Sequence, residues 1–466
     1  MNIKNINSVY FVGIGGIGMS AIARYFKSLG KYIVGYDRTD TELTKQLIKE
    51  NIDIHFNDNV DFIPEYFKEE KNKNEIMVIY TPAIPDNSSE LNFFMKNDYR
   101  IYKRSEILGI ISKNSRGIAV AGTHGKTTIS SMIAHLLKQS SVDCTAFLGG
   151  ILNNYNTNLL LSDKSDIIVL EADEFDKSFL KLHPYFAVIT SVDADHLDIY
   201  GNKNELNKTF EQFISQIQDG GKLLIKKNLD INYSTNDNIK TYTYSLNDKA
   251  DFYAQNIKLI NGLYTIDLIT PFGNIKNIEI GLPGRINVEN AVAAIAVALL
   301  SGVKEIEIIN AAKSFKGVKR RFDLKIISDN LIFIDDYAHH PEEIKACINS
   351  VKEMFPDKKI TGVFQPHLYS RTYDFADEFA TSLNLLDDLI LLDIYPAREK
   401  PVKGVSSKLI YDKININNKS LCSKNSILNI LEKKDIEVLI TMGAGDIDQL
   451  IEPIMKLLNK NLTDTN

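Results

Sequence analysis

The sequence predicts an α/β protein of three domains, and three observations support this. A chain of 466 residues is about three times the ~150 residues of an ordinary domain. Two glycine-rich loops each stand between an apolar, strand-like run and a segment of helical period, the mark of βαβ units. A third series of apolar runs, separated by helix-length stretches, fills the last third of the chain. Hydrophobic residues make up 44% and charged residues 24%, which excludes disorder, collagen and fibrous repeats. With 54 basic and 60 acidic residues the net charge is −6, so no broadly basic surface awaits a nucleic acid or an anionic membrane.

The first domain is expected over residues 1–111. Its opening run, 8–12, enters a glycine turn directly, with no apolar signal segment or small-residue cleavage site before it. Helical period over 19–29 and 41–50 alternates with strand-like runs at 32–35 and 76–80. The second domain, 112–320, restarts the rhythm with the run 117–121, a glycine turn and an amphipathic helix reaching Lys138, followed by buried-type strands at 167–170 and 187–190. From 222 to 282 strands alternate with turn residues, and 262–270 and 275–281 flank Pro271 as a hairpin; this is a β-rich elaboration of the central domain. The longest purely apolar run, 291–300, falls well short of the ~20 residues that cross a bilayer, so it reads as a buried helix and no membrane span is expected. The third domain, 321–466, has strands at 331–334, 360–364, 389–392 and 438–441. Cys144, Cys347 and Cys422 are odd in number and widely spaced, which fits a reducing compartment and hence the cytoplasm.

The strongest single motif is GTHGKTT, Gly122 to Thr128, between a strand and a helix. There backbone N–H groups and the helix dipole cradle polyphosphate, Lys126 neutralises its charge, and the Thr127 hydroxyl meets Mg²⁺. The strict pattern has glycine six residues before the lysine; Val120 stands there, so this is a variant loop. The earlier loop, Gly13-Ile-Gly15-Gly16-Ile17-Gly18, has Asp37 closing the next strand about twenty residues on. Alone it fits a redox cofactor, another nucleotide or plain packing equally well. The kinase-type loop in the same chain argues for ATP chemistry and leaves the first loop to a different pyrophosphate ligand, such as a nucleotide sugar.

Two acidic clusters, Glu171-Ala-Asp-Glu174 and Asp193-Ala-Asp195-His196, follow apolar runs at the carboxyl ends of expected parallel strands, where open sheets bind ligands. Hard oxygen ligands beside a triphosphate suit Mg²⁺; taken alone, His196 reads as a hydrogen-bonded structural histidine. Further on, Arg320-Arg321-Phe-Asp323, Asp335-Asp336-Tyr337-Ala-His339-His340-Pro341 and Gln365-Pro-His367-Leu-Tyr-Ser-Arg371 gather imidazole and guanidinium groups into loops after strands, a way to build a carboxylate and phosphate clamp. The His339-His340 pair has no accompanying cysteine or second histidine at metal spacing, which argues against zinc.

In chain order, GIGGIGMSAIA from Gly13, GTHGKTT from Gly122, EADEFDKSFL from Glu171, DADHLDIY from Asp193, GRINVENA from Gly284, RRFD from Arg320, DDYAHHP from Asp335, FQPHLYSR from Phe364 and GAGDI from Gly443 resemble the Mur ligase family, and the likeness runs through the whole chain. It implies a Rossmann-like N-terminal domain for a UDP-sugar, a central P-loop ATPase-like domain, and a Rossmann-like C-terminal domain that closes for the incoming amino acid. The implied reaction is ATP-dependent joining of L-alanine to the lactyl carboxylate of UDP-N-acetylmuramate in peptidoglycan precursor synthesis. The carboxylate attacks the γ-phosphate to give an acyl phosphate and ADP, and the amine then displaces phosphate. By resemblance, Gly122, Thr123, His124, Gly125, Lys126, Thr127 and Thr128 bind ATP, together with Asn287 or Asn290, Arg321 and Asp336. Thr127, Glu171 and His196 hold Mg²⁺ (or Mn²⁺), directly or through water, which makes His196 a metal-site residue. Gly13, Gly15, Gly16, Ile17, Gly18 and Asp37 meet the UDP-sugar, and Tyr337, His339, His367 and Arg371 the amino-acid side. Lys126, His196 and Arg371 form the catalytic set.

Two departures from the family pattern stand out. Ala338 replaces a frequent glycine and Leu368 a frequent arginine, leaving Arg371 with one guanidinium fewer beside it. Lys208 lies in the stretch where some members carry a carbamylated lysine. Within the family, a ligase that adds an intact tripeptide has similar loops, but the compact spacing from Glu171 to His196 fits the alanine-adding type. An oxidoreductase would leave the Gly122 loop and both acidic clusters unexplained, and a non-catalytic binding module would not need Lys126, Thr127, Glu171 and His196 together. A monomer or weak homodimer is expected.

Overall fold

The computed structural model describes residues 5–113, 115–193, 197–246, 248–397 and 399–464. The fold is α/β with three sheet-containing domains. The chain falls into two compact units: Met1–Gln255 with Asp267–Ile278 and Asn290–Phe315, and Asn256–Ile266 with Glu279–Glu289 and Lys316–Asn466.

The first unit opens with a five-stranded parallel sheet in the order Asp53–His55, Tyr32–Tyr36, Ser8–Val12, Ile76–Tyr80, Arg100–Lys103. Its central strand is apolar at nearly every position because both faces are covered. Val9 and Phe11 pack with Met19, Ile22 and Phe26 on one side, and Tyr10 and Val12 with Phe67, Phe94 and Tyr99 on the other. The Gly13 loop leaves this strand where the strand order reverses, the position at which open α/β sheets bind ligands. The edge strands Asp53–His55 and Arg100–Lys103 are short and only partly covered, so they lack the apolar run that reveals the inner three.

In the ten-stranded sheet the order is Gly273–Ile280, Leu263–Thr270, Phe252–Ile260, Lys240–Ser245, Lys222–Lys226, Phe186–Ile189, Arg116–Ala121, Ile167–Glu171, Thr145–Leu152, Thr157–Leu160. Arg116–Ala121 runs parallel between Phe186–Ile189 and Ile167–Glu171, so the loops at 122–125, 171–174 and 190–193 leave one edge side by side. Thr157–Leu160 closes the far side antiparallel. The apolar run at 291–300 falls in the helix Arg285–Leu300, whose residues 291–298 are fully buried. Among the described residues no helix is long and apolar enough to cross a membrane.

The second unit has a six-stranded sheet in the order Asp323–Ile327, Ile332–Asp336, Val438–Met442, Ile360–Phe364, Asp388–Leu392, Asn418–Cys422. Only the first strand is antiparallel to its neighbour. The four inner strands match the apolar runs; the two edge strands are again those that periodicity does not reveal. Apolar clusters cover both faces, and the helix Pro341–Met354 starts at an N-cap His340 with proline in its first turn, as proline's fixed φ favours.

A polar cluster interrupts the core of the first sheet. The Tyr10 hydroxyl donates to Glu90 Oε2 at 2.7 Å and lies 2.8 Å from His55 Nε2, while Glu90 Oε1 is 3.4 Å from the same nitrogen. Burial, opposed by the Tyr10 hydrogen bond and aided by the charge on Asp58, pushes the Glu90 carboxyl up to about 8. Burial also lowers His55. Glu90 therefore holds a proton that it releases in the unfolded chain near its ordinary value of 4.5. Its contribution to stability is complete below that value and is lost as pH rises towards 8. Glu90→Gln is expected to flatten this decline. Urea unfolding between about pH 5 and 8 should show the wild type losing up to ~1.4 kcal/mol per pH unit relative to the variant; parallel curves would refute the prediction.

Candidate active site

The loop from Gly122 joins the strand Arg116–Ala121 to the helix Lys126–Lys138. It is tied to the end of the adjacent strand: Thr123 N donates to Ser191 O at 3.2 Å, His124 N to Ser191 Oγ at 2.8 Å, and Asp193 N to Thr123 Oγ1 at 3.1 Å. The Thr190 hydroxyl donates to His124 O at 2.5 Å. Gly122 has φ of +139°, and a Cβ there would stand 2.8 Å from Ser191 N, so the loop closes only around glycine. Gly125, in the left-handed region, starts the helix without a side-chain cap. Gly125 therefore offers no side chain to the first turn, and a helix N-terminus of this kind attracts anions. Thr127 and Thr128 are buried in that turn.

The Lys126 ammonium donates to Gly122 O at 2.6 Å and to Glu174 Oε1 at 2.9 Å, with Oε2 at 2.8 Å. Burial works against its charge, but the carboxylates of Glu174, Asp173 and Glu171 outweigh burial and hold it above the ordinary lysine value. Glu174 is fully buried, which pushes its carboxyl up to about 7 despite Lys126. Glu171 ends its strand, and its Oε2 is buried with no hydrogen-bond partner among the described residues. A carboxylate oxygen withdrawn from water without a donor is costly until a cation meets it. Together with the Thr127 hydroxyl it is the hard-oxygen chemistry that suits Mg²⁺.

His196, expected as a metal and catalytic residue, and Asp195 lie outside the described residues. Asp193 is described, and its Oδ2 is 3.5 Å from His124 Nε2. Of the two asparagines, Asn290 has its Oδ1 3.1 Å from the position a Cβ on Gly125 would take, whereas Asn287 donates to Pro283 O at 2.6 Å. Lys208 is exposed and pairs with Glu205 of its own helix at 2.7 Å.

In the first loop, Gly13 N and Ile14 N donate to Tyr36 O at 2.8 and 3.0 Å, and Gly15 N donates to Asp37 Oδ2 at 2.7 Å. Asp37 Oδ1 accepts from Thr39 N at 3.0 Å, so this carboxylate shapes the loop. Gly16 precedes the helix Ile17–Ser28, whose first turn holds Gly18 and no acidic residue.

In the second unit Tyr337 lies between two guanidinium groups, Arg320 at 5.1 Å and Arg321 at 4.7 Å from its ring centre, within cation–π range. His339 stands edge-on to Tyr337 and to His367, and His367 stacks on Tyr395. Arg371, buried, has Nη1 3.5 Å from His367 Nδ1. Asp336 accepts from Phe322 N and Ala338 N, both at 2.7 Å; burial pushes it up to about 7 against Arg321. Burial likewise raises Asp335 to about 6 against Arg320. Leu368 has φ of +71° and ψ of 140°, a strained conformation for a branched residue; its N–H donates to Tyr395 O at 3.0 Å.

Four residues of these sites are missing from the sequence-derived set. Thr190 and Ser191 bond the loop through hydroxyls that no spacing rule singles out. Glu174 lies inside a cluster that was recognised, yet only the fold shows that it, and not Glu171, grips Lys126. Tyr395 enters through a lone bridge to His367.

Three family models match the chain: Mur ligase family, catalytic domain, over 8–116; Mur ligase middle domain over 120–298; and Mur ligase, glutamate ligase domain, over 320–447. The chain is 52% identical over 462 residues to a UDP-N-acetylmuramate–L-alanine ligase of Parabacteroides distasonis, covering 99% of both chains. It is 49% identical over 461 residues to one of Flavobacterium psychrophilum, covering 99% of this chain and 100% of the other. Among solved structures it is similar to a UDP-N-acetylmuramate-alanine ligase from Thermotoga maritima, with TM-score 0.80 and 28% identity, covering 98% of this chain and 99% of that one.

The tight approach at Gly122 sets a measurable difference between two glycines. Gly122→Ala should lower unfolding free energy by about 2–4 kcal/mol, through backbone strain plus overlap with Ser191. Gly220 also has positive φ but open space around it, so Gly220→Ala should cost only ~1 kcal/mol. Urea unfolding of both variants checks the order, and equal losses would contradict it.

Proposed function

Because the chain belongs to the Mur ligase family, we propose that it is an ATP-dependent ligase that joins L-alanine to the lactyl carboxylate of UDP-N-acetylmuramate, a step in building peptidoglycan precursors. The observation that carries this is the buried Lys126 ammonium at the head of the phosphate-loop helix, kept charged by Glu174 at 2.8 Å. A buried cation at a helix N-terminus is suited to the transferring phosphoryl group of ATP, where charge neutralisation and positioning do most of the chemistry. The names of the relatives of about 50% identity support L-alanine as the acceptor.

Residues 1–111, with Gly13, Gly15, Gly16, Ile17, Gly18 and Asp37, take the sugar nucleotide. Residues 112–320 take ATP through Gly122 to Thr128 and Asn290. Residues 321–466 serve the amino-acid side through Tyr337, His339, His367 and Arg371, and Arg321 and Asp336 serve the nucleotide. A lactyl carboxylate oxygen attacks the γ-phosphorus, the bond from that phosphorus to ADP breaks, and the carboxylate becomes an acyl phosphate. The alanine amine then attacks that carbon and phosphate departs. Lys126 passes from Glu174 to the phosphoryl oxygens, and Glu174, whose carboxyl lies near 7, then accommodates a proton in its place. Thr127, Glu171 and His196 would hold Mg²⁺, which would supply neutralisation of the triphosphate. Arg371 and the column of rings beside it meet the amino-acid carboxylate and the acyl phosphate. Three free cysteines accord with a cytoplasmic enzyme, acting as a monomer or weak homodimer.

Phosphate release from ATP and Mg²⁺ with UDP-N-acetylmuramate should depend on both the sugar and L-alanine. Release with the L-alanyl tripeptide acceptor alone would reassign the chain to the recycling reaction, and no sugar-dependent release with any acceptor would overturn the proposal. Lys126→Ala should lower turnover by about 10²–10³-fold or more. Its thermal unfolding should stay close to that of the wild type, because Glu174 neutralises by taking up a proton. Turnover close to wild type would refute the role of Lys126.

A further inference from the structure

Arg104, the first residue of the helix Arg104–Ser112, lies between the helix that leaves the Gly13 loop and Asp173 at the end of a central strand. Its guanidinium occupies the space above Gly18: a Cβ on that glycine would stand 3.1 Å from Arg104 Cδ and 3.3 Å from Cζ. Gly18 lies in the first turn of the helix that leaves the Gly13 loop, so the guanidinium sits at that helix start. On its other side Nη2 donates to Asp173 Oδ2 at 3.2 Å. Asp173 is the neighbour of Glu174 and, with Glu171 and Glu174, one of the three carboxylates whose charge acts on Lys126. Its second oxygen, Oδ1, accepts from Phe175 N at 3.1 Å. The contact is braced by Lys103, 3.6 Å from Asp176, and the backbone at Asp176 and Lys177 is left-handed at two successive non-glycine residues. Strain of that kind persists only where surrounding contacts hold it.

The charges explain why this contact matters. Lys126 carries one positive charge amid Glu171, Asp173 and Glu174, so the cradle for an incoming polyanion has a surplus of negative charge. Glu171 has its buried oxygen available to a cation, and Glu174 grips Lys126. Asp173 is the one whose charge the reaction does not use, and it is the one that Arg104 neutralises.

We propose that Arg104 is a positioning residue for both substrates: it cancels the charge of Asp173 beside the ATP loop, and its guanidinium orders the helix start that meets the sugar nucleotide. This rests on the assignment of the two loops under Proposed function. Without Arg104, Asp173 repels the triphosphate, and the groove above Gly18 is empty. The two defects are separable, because removing the Asp173 charge repairs only the first. Asp173→Asn retains the oxygen that accepts from Phe175 N.

Calorimetric titration of the full-length protein with Mg²⁺-ATP, and separately with UDP-N-acetylmuramate, tests this without turnover. Arg104→Ala should weaken both ligands by about three- to tenfold, the range of a partly exposed ion pair or charge contact. The Arg104→Ala/Asp173→Asn double variant should recover ATP affinity to within about twofold of the wild type while the sugar nucleotide remains weak. Arg104→Lys, which keeps the charge but loses the planar fork, should leave ATP close to wild type. Unchanged affinities in Arg104→Ala, or a double variant no better than the single one for ATP, would overturn the proposal. A wild type that binds neither ligand would overturn the assignment of the loops itself. Thermal unfolding of each variant verifies that the folded protein is being titrated; a merely structural role for Arg104 would not give rescue confined to one ligand.

Discussion

The buried pair between Lys126 and Glu174 is the constraint on which the central site depends. An ammonium withdrawn from water at the start of a helix stays charged only if carboxylates lie within contact distance, and those carboxylates persist only if they cannot reach solvent instead. Three parallel strands satisfy both requirements. Arg116–Ala121 delivers the lysine through its glycine turn, Ile167–Glu171 delivers the acidic residues, and Phe186–Ile189 delivers the hydroxyls that hold the turn closed. Each side chain of the cradle is set by backbone that the sheet already fixes, so the geometry exists before any ligand arrives.

What was legible in the sequence follows from how each feature is encoded. Strands covered on both faces are apolar almost throughout, and those at 8–12, 117–121 and 438–441 are plain in the sequence. Edge strands such as Asp53–His55 and Asn418–Cys422 are polar enough to pass for loops, and only the pairing partner reveals them. The Gly122 loop, between its strand and helix, was legible because glycine, lysine and threonine stand at fixed offsets along one turn. Glu174 as the partner of Lys126 was not, since carboxylates a few residues apart in one loop look alike until the path of the chain beyond the strand end is known. Thr190 and Ser191 act through the sheet register between two strands distant in sequence, a relation that a local pattern does not contain.

The second unit builds its site differently. Instead of a glycine turn around a buried lysine, it gathers rings and guanidinium groups: Arg321 over Tyr337, His339 between Tyr337 and His367, and His367 on Tyr395. Asp336 is bound to two backbone N–H groups at 2.7 Å and so fixes the turn from which Tyr337 and His339 project. Leu368 is held in a conformation that glycine adopts more easily, with its N–H tied to the segment that carries Tyr395. In place of the arginine that resemblance led one to expect, a buried apolar side chain holds the loop, and Arg371 supplies the guanidinium of that stretch.

The separation of the two kinds of construction has an evolutionary consequence. The lysine cradle is made of glycines, strand ends and buried charges, whereas the ring column is made of side chains on loops. Substitutions at residues such as Leu368 and Tyr395 can therefore reshape the ring column within its own loops. A fold built this way can vary its loops while its sheets stay as they are.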